Sequence, residues 1–271
     1  MMSIAAAANA LWDAAVTSTP CAPIHDRLDV DRGDAAAAAD AAYAVQQCNV
    51  ERTISERGWR VCGRKVGLTA PAVQAQLGVD RPDFGALFAE LGHVDGDVVD
   101  STTLLQPRIE AEVALVLGRD LDRSTNTIAD VLAAVDFALP ALEIVDSRIA
   151  DWDITFVDTV ADNASAGRFV LGTVPRRLDF DLAEITMTMS IDGTERSNGR
   201  GAACLGNPLN AARWLADTMA RRGTPLRAGD VVLTGALGPM APVAPGDEVV
   251  ADVSGLGHVR VSFSSQEGAR S

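Results

Sequence analysis

The sequence has 271 residues, a hydrophobic content of 48% and a formal net charge of −14 at pH 7. This length is sufficient for one large domain or two small ones with a sizeable core. The negative charge argues against nucleic acid and against an anionic membrane surface as partners, since both require a basic face. An anionic ligand would therefore need a local positive group, such as a metal ion, a lysine or an arginine.

The cysteines and the N-terminus predict a cytoplasmic protein. The chain has four cysteines, Cys21, Cys48, Cys62 and Cys204. They lack C-x-x-C spacing, which disfavours a zinc cluster, and they are too few in a chain of this length for a disulfide framework. Residues 1–16 have no basic segment, and Asp13 interrupts their short apolar run, so a signal peptide is not predicted. No apolar run reaches the ~18 residues of a membrane span.

The N-terminal part has helical patterns. Apolar residues at roughly helical spacing predict an amphipathic helix over residues 3–17, which ends before Pro20. Asp34 is the predicted N-cap of a long alanine-rich helix, and Gly58 stands where a helix C-terminus favours glycine.

The next segment alternates apolar and polar residues and predicts a strand, WRVCGRKVGLT, that carries Lys65 near its exit. Pro71 begins a predicted short helix, PAVQAQLG. The following segment, GVDRPDFGALF, is predicted to be a connection in which Asp83 lies between a proline and a phenylalanine. From the local sequence pattern alone, the simplest interpretations are that Lys65 is exposed to solvent and that Asp83 belongs to a turn.

From about residue 97, short strands punctuated by glycine and proline replace the helical pattern. Two further helices are predicted, one capped by Thr127 and one that begins at Asn207-Pro208, and a hairpin turns at Asp192-Gly193. These patterns predict an α+β fold. We expect a small, mostly helical N-terminal domain over residues 1–90 and a larger, β-rich domain over residues 91–271.

Two carboxylates stand two residues apart in the predicted strand LLQPRIEAEVALVLG. Glu110 and Glu112 therefore share one face of the strand. Two like charges beside an apolar run are costly to keep ionised without a partner, and a hard divalent cation is the natural partner for carboxylate oxygens. A strand with one solvated face would give the same pattern.

A second buried strand, ALPALEIVDSRI, carries Glu143 and Asp146 where apolar residues are expected. The residues alone leave open which of these two acids joins Glu110 and Glu112. Three carboxylates and water molecules suit Mg2+ or Mn2+. Zinc is disfavoured because no histidine lies in these segments.

Four strings together resemble the hydratase/decarboxylase branch of the fumarylacetoacetate hydrolase superfamily: KVGLTAPAVQAQLGVDRPDFGALF, LLQPRIEAEVALVL, ALPALEIVDSRIADW and DTVADNASAGRFVLG. The similarity runs from about residue 58 to 265. It implies a β-rich roll of the family's C-terminal type after a small helical domain. It also implies that Glu110, Glu112 and Glu143 bind Mg2+ or Mn2+, and that the chain forms a large homo-oligomer, often a decamer in this family.

Within that branch the strings are most similar to enzymes of meta-cleavage catabolism of aromatic or steroid rings. The resemblance implies hydration of the anion 2-hydroxypenta-2,4-dienoate to 4-hydroxy-2-oxopentanoate, with the cation as Lewis acid and template. A nearby metal ion would lower the pKa of Lys65, which could then move protons near neutral pH. Asp83 would orient or deprotonate the water, and Asn163 and Ser165 would hydrogen-bond the substrate carboxylate or a water molecule.

Three other functions stay open. A 4-oxalocrotonate (2-oxo-3-hexenedioate) decarboxylase would use the same metal triad, although the strings QLGVDRPDFG and DNASAG look more like the hydratases. A C–C hydrolase of the superfamily would need a His–Glu pair, but His25 is followed by Asp26 and has no evident glutamate partner. The third is a non-catalytic partner subunit, against which the intact acidic triad argues. Association with a pathway decarboxylase or aldolase is the predicted protein interaction.

Overall fold

The computed structural model describes residues 2–29, 34–70, 74 and 79–265. Most of the short helix predicted to begin at Pro71 lies outside these residues. Among the helices of the described ranges, none is long and apolar enough to cross a membrane.

Two long helices form the N-terminal part, as the sequence predicts. Helix α1 spans Ile4–Thr17, and helix α2 spans Ala35–Arg57. The side chain of Asp34 accepts the free backbone N–H groups at the start of α2, and Gly58 adopts a left-handed conformation (φ 68°) after its last turn. Local capping and the high helix propensity of alanine thus fix the ends of α2.

Thirteen strands and three more helices follow in the described part of the chain. The strands are β1 (Val61–Gly67), β2 (Asp83–Phe88), β3 (Gly92–Val94), β4 (Val98–Val99), β5 (Pro107–Leu117), β6 (Val135–Asp146), β7 (Ala166–Leu171), β8 (Thr186–Ile191), β9 (Thr194–Arg200), β10 (Val231–Ala236), β11 (Ala241–Pro242), β12 (Glu248–Val253) and β13 (Gly257–Phe263). The helices are α3 (Ile128–Ala134), α4 (Phe156–Ala161) and α5 (Pro208–Arg221).

The strands form two sheets. The larger has the order β2-β1-β10-β5-β6-β7-β3, with β11 added to β5, and the smaller has the order β4-β13-β12-β8-β9. A large apolar core joins the N-terminal helices to both sheets through residues such as Tyr43, Leu115 and Val249. The predicted α+β fold is confirmed.

Strand β5 lies in the middle of the larger sheet and is buried on both faces. Every side chain from Ile109 to Leu115 is buried. Glu110 and Glu112 therefore point into the protein, and the alternative of a solvated strand face is wrong for this strand.

Strand β2 occupies the segment that the sequence predicts as a connection. It pairs with β1 in antiparallel register, and all six of its residues are buried. The cover comes from α2, where the ring of Tyr43 stacks on that of Phe84 at 4.4 Å. Because this cover comes from a distant helix, the local turn residues gave the wrong prediction.

Strands β1 and β2 precede residue 91 but belong to the larger sheet, where Lys65 pairs in parallel with Leu233 of β10. The division into domains 1–90 and 91–271 stays a prediction. The predicted hairpin is confirmed: β8 and β9 are joined by Asp192 and Gly193, both with positive φ (50° and 73°), as a tight two-residue turn requires.

Candidate active site

The pairing of β5 with β6 brings three carboxylates together. Glu110 lies opposite Glu143 in the antiparallel register. With Glu112, these residues offer carboxylate oxygens that all lie within 4.8 Å of one another. Asp146 is used differently, since its carboxylate accepts the backbone N–H groups of Leu105 and Gln106. The geometry therefore groups Glu143, and not Asp146, with the pair on β5.

This carboxylate cluster is buried, and some of its oxygens accept no hydrogen bond from the described residues. Burial, with the charge of Glu143, raises the pKa of Glu110 to about 7 and the pKa of Glu112 well above its usual value. Within the described residues, Glu112 Oε1 and both side-chain oxygens of Glu143 have no hydrogen-bond donor. Oε2 of Glu112 accepts the backbone N–H of Gly235 at 2.8 Å. Three convergent carboxylates, two of which have oxygens without a described hydrogen-bond donor, fit a hard divalent cation.

Lys65 is held between this cluster and a backbone carbonyl. Its Nζ lies 3.1 Å from Glu143 Oε1, an ion pair without hydrogen-bond geometry, and donates to the carbonyl oxygen of Ala164 at 2.8 Å. Burial lowers the pKa of Lys65, but the negative charges of the surrounding carboxylates, above all that of Glu143, together raise it by more. The pKa of Lys65 is therefore raised overall. A bound metal ion is expected to lower the pKa of Lys65, whereas these carboxylates raise it. The carboxylates therefore keep Lys65 cationic.

Asp83 lies next to Lys65 at the start of β2 and is only 1% exposed. Burial raises the pKa of Asp83, and the charge of Lys65 opposes this shift. The hydroxyl of Thr159 donates to Asp83 Oδ2 at 3.4 Å. A Cβ atom at Gly67 would lie 2.2 Å from Asp83 Oδ1 and 3.4 Å from Lys65 Nζ, so the close approach of the three residues requires glycine there.

A cavity of about 300 Å³ opens onto these groups. Its polar lining includes Lys65, Asp83, Glu110, Thr159 and Ser165. Its apolar lining includes Leu68, Val145, Ile154, Ala236 and Met240. Glu110 thus faces the cavity, whereas the other two carboxylates of the cluster lie outside its lining.

A strained turn links the cavity to the rest of the sheet. Asn163, Ala164 and Ser165 all have positive φ (55°, 52° and 54°), which is uncommon and costly for residues other than glycine. The carboxamide of Asn163 accepts the backbone N–H of Ala86 at 2.7 Å and donates to its carbonyl at 3.0 Å. The turn presents the Ala164 carbonyl to Lys65, and it presents to the cavity the buried hydroxyl of Ser165, which has no partner among the described residues. The structure does not bring Asn163 to this cavity.

Arg108, Trp152 and Thr159 also line the cavity and are not predicted from the sequence. The guanidinium of Arg108 lies over the Trp152 ring, 4.4 Å from its centroid, and forms no ion pair with a described carboxylate. The i, i+2 spacing from Glu110 would have indicated Arg108. Trp152 is placed by left-handed backbone at Asp151 and Trp152 (φ 60° and 55°), for which the sequence has no local indicator.

His25 does not line this cavity. Its Nδ1 contacts the carboxylate of Asp158, which also accepts the backbone N–H groups of Ile24 and His25 and the hydroxyl of Thr155. The partner is thus an aspartate at the start of α4, and the pair anchors the loop after α1. This arrangement offers no support for the C–C hydrolase alternative.

Comparison with known proteins agrees with this geometry. The model of the fumarylacetoacetate (FAA) hydrolase C-terminal family matches residues 62–264. A 2-keto-4-pentenoate hydratase of Burkholderia vietnamiensis is 54% identical over 263 residues, which cover 97% of this chain and 98% of the relative. The 2-keto-4-pentenoate hydratase 1 of Dechloromonas aromatica is 53% identical over 265 residues, with 97% and 98% covered.

Among solved structures, 4-oxalocrotonate decarboxylase from Pseudomonas putida G7, complexed with magnesium and adipate, superposes with a TM-score of 0.87. It is 33% identical, and the match covers 96% of this chain and 97% of that one. The family resemblance noted in the sequence is confirmed. The matched family model and these full-length relatives show that the chain belongs to the fumarylacetoacetate hydrolase family.

Proposed function

We propose that the protein is a hydratase that converts 2-hydroxypenta-2,4-dienoate (2-oxopent-4-enoate) to 4-hydroxy-2-oxopentanoate in the meta-cleavage catabolism of aromatic or steroid rings. The observation that carries this proposal is a cluster of three buried carboxylates, one of which, Glu110, lines a cavity together with Lys65 and Asp83. The two relatives of 54% and 53% identity, both named as 2-keto-4-pentenoate hydratases, support the same reaction. The reaction class is that of a carbon–oxygen lyase.

Glu110, Glu112 and Glu143 would hold a divalent cation, Mg2+ or Mn2+. The oxygens of Glu112 and Glu143 that have no hydrogen-bond donor among the described residues support this assignment. So do the raised pKa values of Glu110 and Glu112 and the magnesium in the decarboxylase structure. When bound, the cation supplies Lewis-acid stabilisation of the negative charge that develops on the substrate oxygens.

Ser165 and Arg108 would bind the anionic substrate. The Ser165 hydroxyl lines the cavity and has no partner among the described residues, so it is free to hydrogen-bond the substrate carboxylate or a water molecule. Arg108 adds a guanidinium that can bind a carboxylate in bidentate fashion. For Asn163 we propose a positioning role, because both polar atoms of its carboxamide are already bonded to Ala86.

Lys65 and Asp83 would move the protons. Hydration requires that the enol proton and one proton of water reach carbons 5 and 3, while the hydroxyl adds to carbon 4. Asp83 has a raised pKa, which suits a group that takes a proton from water and gives it back. Lys65 is kept cationic by its neighbours and lies within reach of the same cavity, so it would donate to carbon.

An ultraviolet assay with freshly generated 2-hydroxypenta-2,4-dienoate tests the proposal. The dienol absorbance should fall with Mg2+ or Mn2+ and stay constant with EDTA, and 4-hydroxy-2-oxopentanoate should be the product. The decarboxylase is the second candidate, favoured by the superposition at 33% identity. Carbon dioxide release from 2-oxo-3-hexenedioate, without hydration of the dienoate, would assign the chain to that reaction instead.

The quaternary structure follows only from the family resemblance. We propose a homo-oligomer, with a decamer as the expected size, and an association with a pathway decarboxylase or aldolase. Mass photometry of the purified chain, alone and mixed with such a partner, would measure both. A monomer would overturn the first proposal, and unchanged masses in the mixture would overturn the second.

A further inference from the structure

A second cavity, of about 190 Å³, lies between the N-terminal helices and β7. It shares a wall with the catalytic cavity. Asn163 lines the second cavity, whereas the next two residues of the same turn, Ala164 and Ser165, line the catalytic one. A group bound in the second cavity would therefore contact the turn whose carbonyl holds Lys65.

The lining of this second cavity carries excess positive charge in a chain whose net charge is −14. Three arginines, Arg57, Arg148 and Arg168, face it, against the two aspartates Asp146 and Asp162. Arg148 forms an ion pair with Asp162. Neither of the other arginines forms an ion pair with a carboxylate of the described residues. One uncompensated cation next to a cavity suits a monoanionic ligand.

The same lining offers aromatic surface and a buried acceptor. Arg57 lies over the rings of Trp12 and Trp59, at 4.7 and 5.0 Å from their centroids. Trp59 packs edge-on against Phe88 at 5.8 Å. Asn49 donates through Nδ2 to the carbonyl of Ala8, but its Oδ1 is buried and has no donor among the described residues.

We propose that the second cavity binds a hydroxylated aromatic monocarboxylate and that this ligand changes turnover through the shared turn. Its carboxylate would bind Arg57 and Arg168 and balance the one excess positive charge, its ring would pack on the indoles, and its hydroxyl would donate to Asn49. The size is suitable, because a cavity of about 150 Å³ holds a benzene ring in another protein. The binding site does not depend on the proposed hydratase activity; only the effect on turnover rests on it.

Isothermal titration of the full chain with 4-hydroxybenzoate and benzoate tests the site. We expect a Kd below about 1 mM in Mg2+ and equally in EDTA, with the hydroxy acid about fivefold tighter because of its extra hydrogen bond. Binding that disappears in EDTA would assign the ligand to the carboxylate cluster and overturn the proposal. So would the absence of binding up to about 10 mM.

Two arginine variants form a matched pair. Arg57 and Arg52 both lie over the Trp12 ring, at 4.7 and 4.2 Å, but only Arg57 lines the cavity. Arg57→Met should weaken binding about tenfold, whereas Arg52→Met should leave it unchanged. Equal affinities in the two variants would contradict the site. In the dienoate assay, saturating 4-hydroxybenzoate should change kcat of the natural chain more than that of Arg57→Met, and an unchanged kcat would overturn the effect on turnover.

Discussion

Glu112 is fully buried, and among the described residues its carboxylate accepts a hydrogen bond from the backbone N–H of Gly235 alone. Its pKa is raised by burial and by the charges of Glu143 and Glu110. The folded, metal-free chain therefore holds this group less favourably as a carboxylate than the unfolded chain does. Glu112 is therefore expected to lower the stability of the metal-free fold while it contributes to metal binding.

Replacement of Glu112 by glutamine separates these two effects. Glu112→Gln keeps an acceptor for the Gly235 N–H but removes the charge. We expect the Kd for Mg2+ to rise by at least about a hundredfold and the hydration of the dienoate to be lost. Replacing a residue that only hydrogen-bonds a metal ligand weakens metal binding about 10–100-fold, so replacing a direct ligand should cost at least as much. The metal-free variant should nevertheless melt at a higher temperature than the natural chain in EDTA.

Calorimetry with Mg2+ and thermal melts in EDTA measure the two effects independently. Glu51→Gln is the control, since Glu51 is an exposed glutamate on α2. An unchanged Mg2+ affinity in Glu112→Gln would remove this residue from the metal site. A lower melting temperature without metal would show that the carboxylate stabilises the fold.

At the scale of elements, the buried side chain of Gln46 connects the N-terminal helix α2 to the sheet. Gln46 Nε2 donates to the carbonyls of Phe84 on β2, at 2.9 Å, and of Val160 on α4, at 2.8 Å. Gln46→Met would leave both carbonyls without this donor. A buried polar group that loses its partner costs about 1–3 kcal/mol, so we expect a loss of that size in the free energy of unfolding.

The neighbouring residue offers a matched control. Gln47 is exposed, and among the described residues its side chain bonds only Glu51 on its own helix, so Gln47→Met should change stability by less than about 0.5 kcal/mol. Urea denaturation of both variants measures the difference. Equal stabilities would mean that the apolar packing of α2 on β2, and not Gln46, fixes the helix.

The turn Asn163–Ser165 is the second element on which the site depends. Asn163→Ala removes both bonds to Ala86 and leaves alanine in a left-handed conformation that asparagine tolerates better. The Ala164 carbonyl would then hold Lys65 less firmly. We expect kcat for the dienoate to fall about tenfold or more while KM changes little, because the residue acts through the proton-moving group.

Asn198→Ala is the control for this prediction, because Asn198 is exposed and its side chain bonds only Glu195 among the described residues. A rise in KM with unchanged kcat in Asn163→Ala would instead support a direct contact with the substrate, as the sequence predicts. An unchanged kcat and KM would remove the turn from the mechanism.

At the scale of the whole molecule, features with local determinants could be predicted from the sequence. The ends of α2 follow from Asp34 and Gly58, and the hairpin follows from Asp192-Gly193. The i, i+2 spacing of two glutamates on β5 predicts a carboxylate pair. In each case the interacting groups lie within a few residues of one another, where turn and capping chemistry dominates.

Features set by distant contacts could not be predicted in this way. The choice of Glu143 over Asp146 depends on the β5–β6 register, and from the residues alone it stays open. Lys65 reaches a carbonyl 99 residues away in the chain, which no periodicity encodes. The burial of Asp83 on a strand likewise depends on residues from other elements, Lys65 on β1 and Thr159 on α4, so the local interpretation as a turn residue was wrong.

The acidic cluster should make metal binding dependent on pH. Burial raises the pKa of Glu110 from 4.5 to about 7, so its protonated form stabilises the metal-free fold fully below about pH 4.5, and this contribution is lost as the pH rises through about 7. A cation must displace these protons to bind, so its affinity should increase across the same range.

Mg2+ should therefore bind more tightly at about pH 8 than at about pH 6, with protons released to the buffer. Calorimetry in buffers of different ionisation enthalpy counts those protons, and Glu110→Gln should release fewer. A Kd that is independent of pH, with no proton release, would show that the carboxylates are already ionised in the metal-free protein.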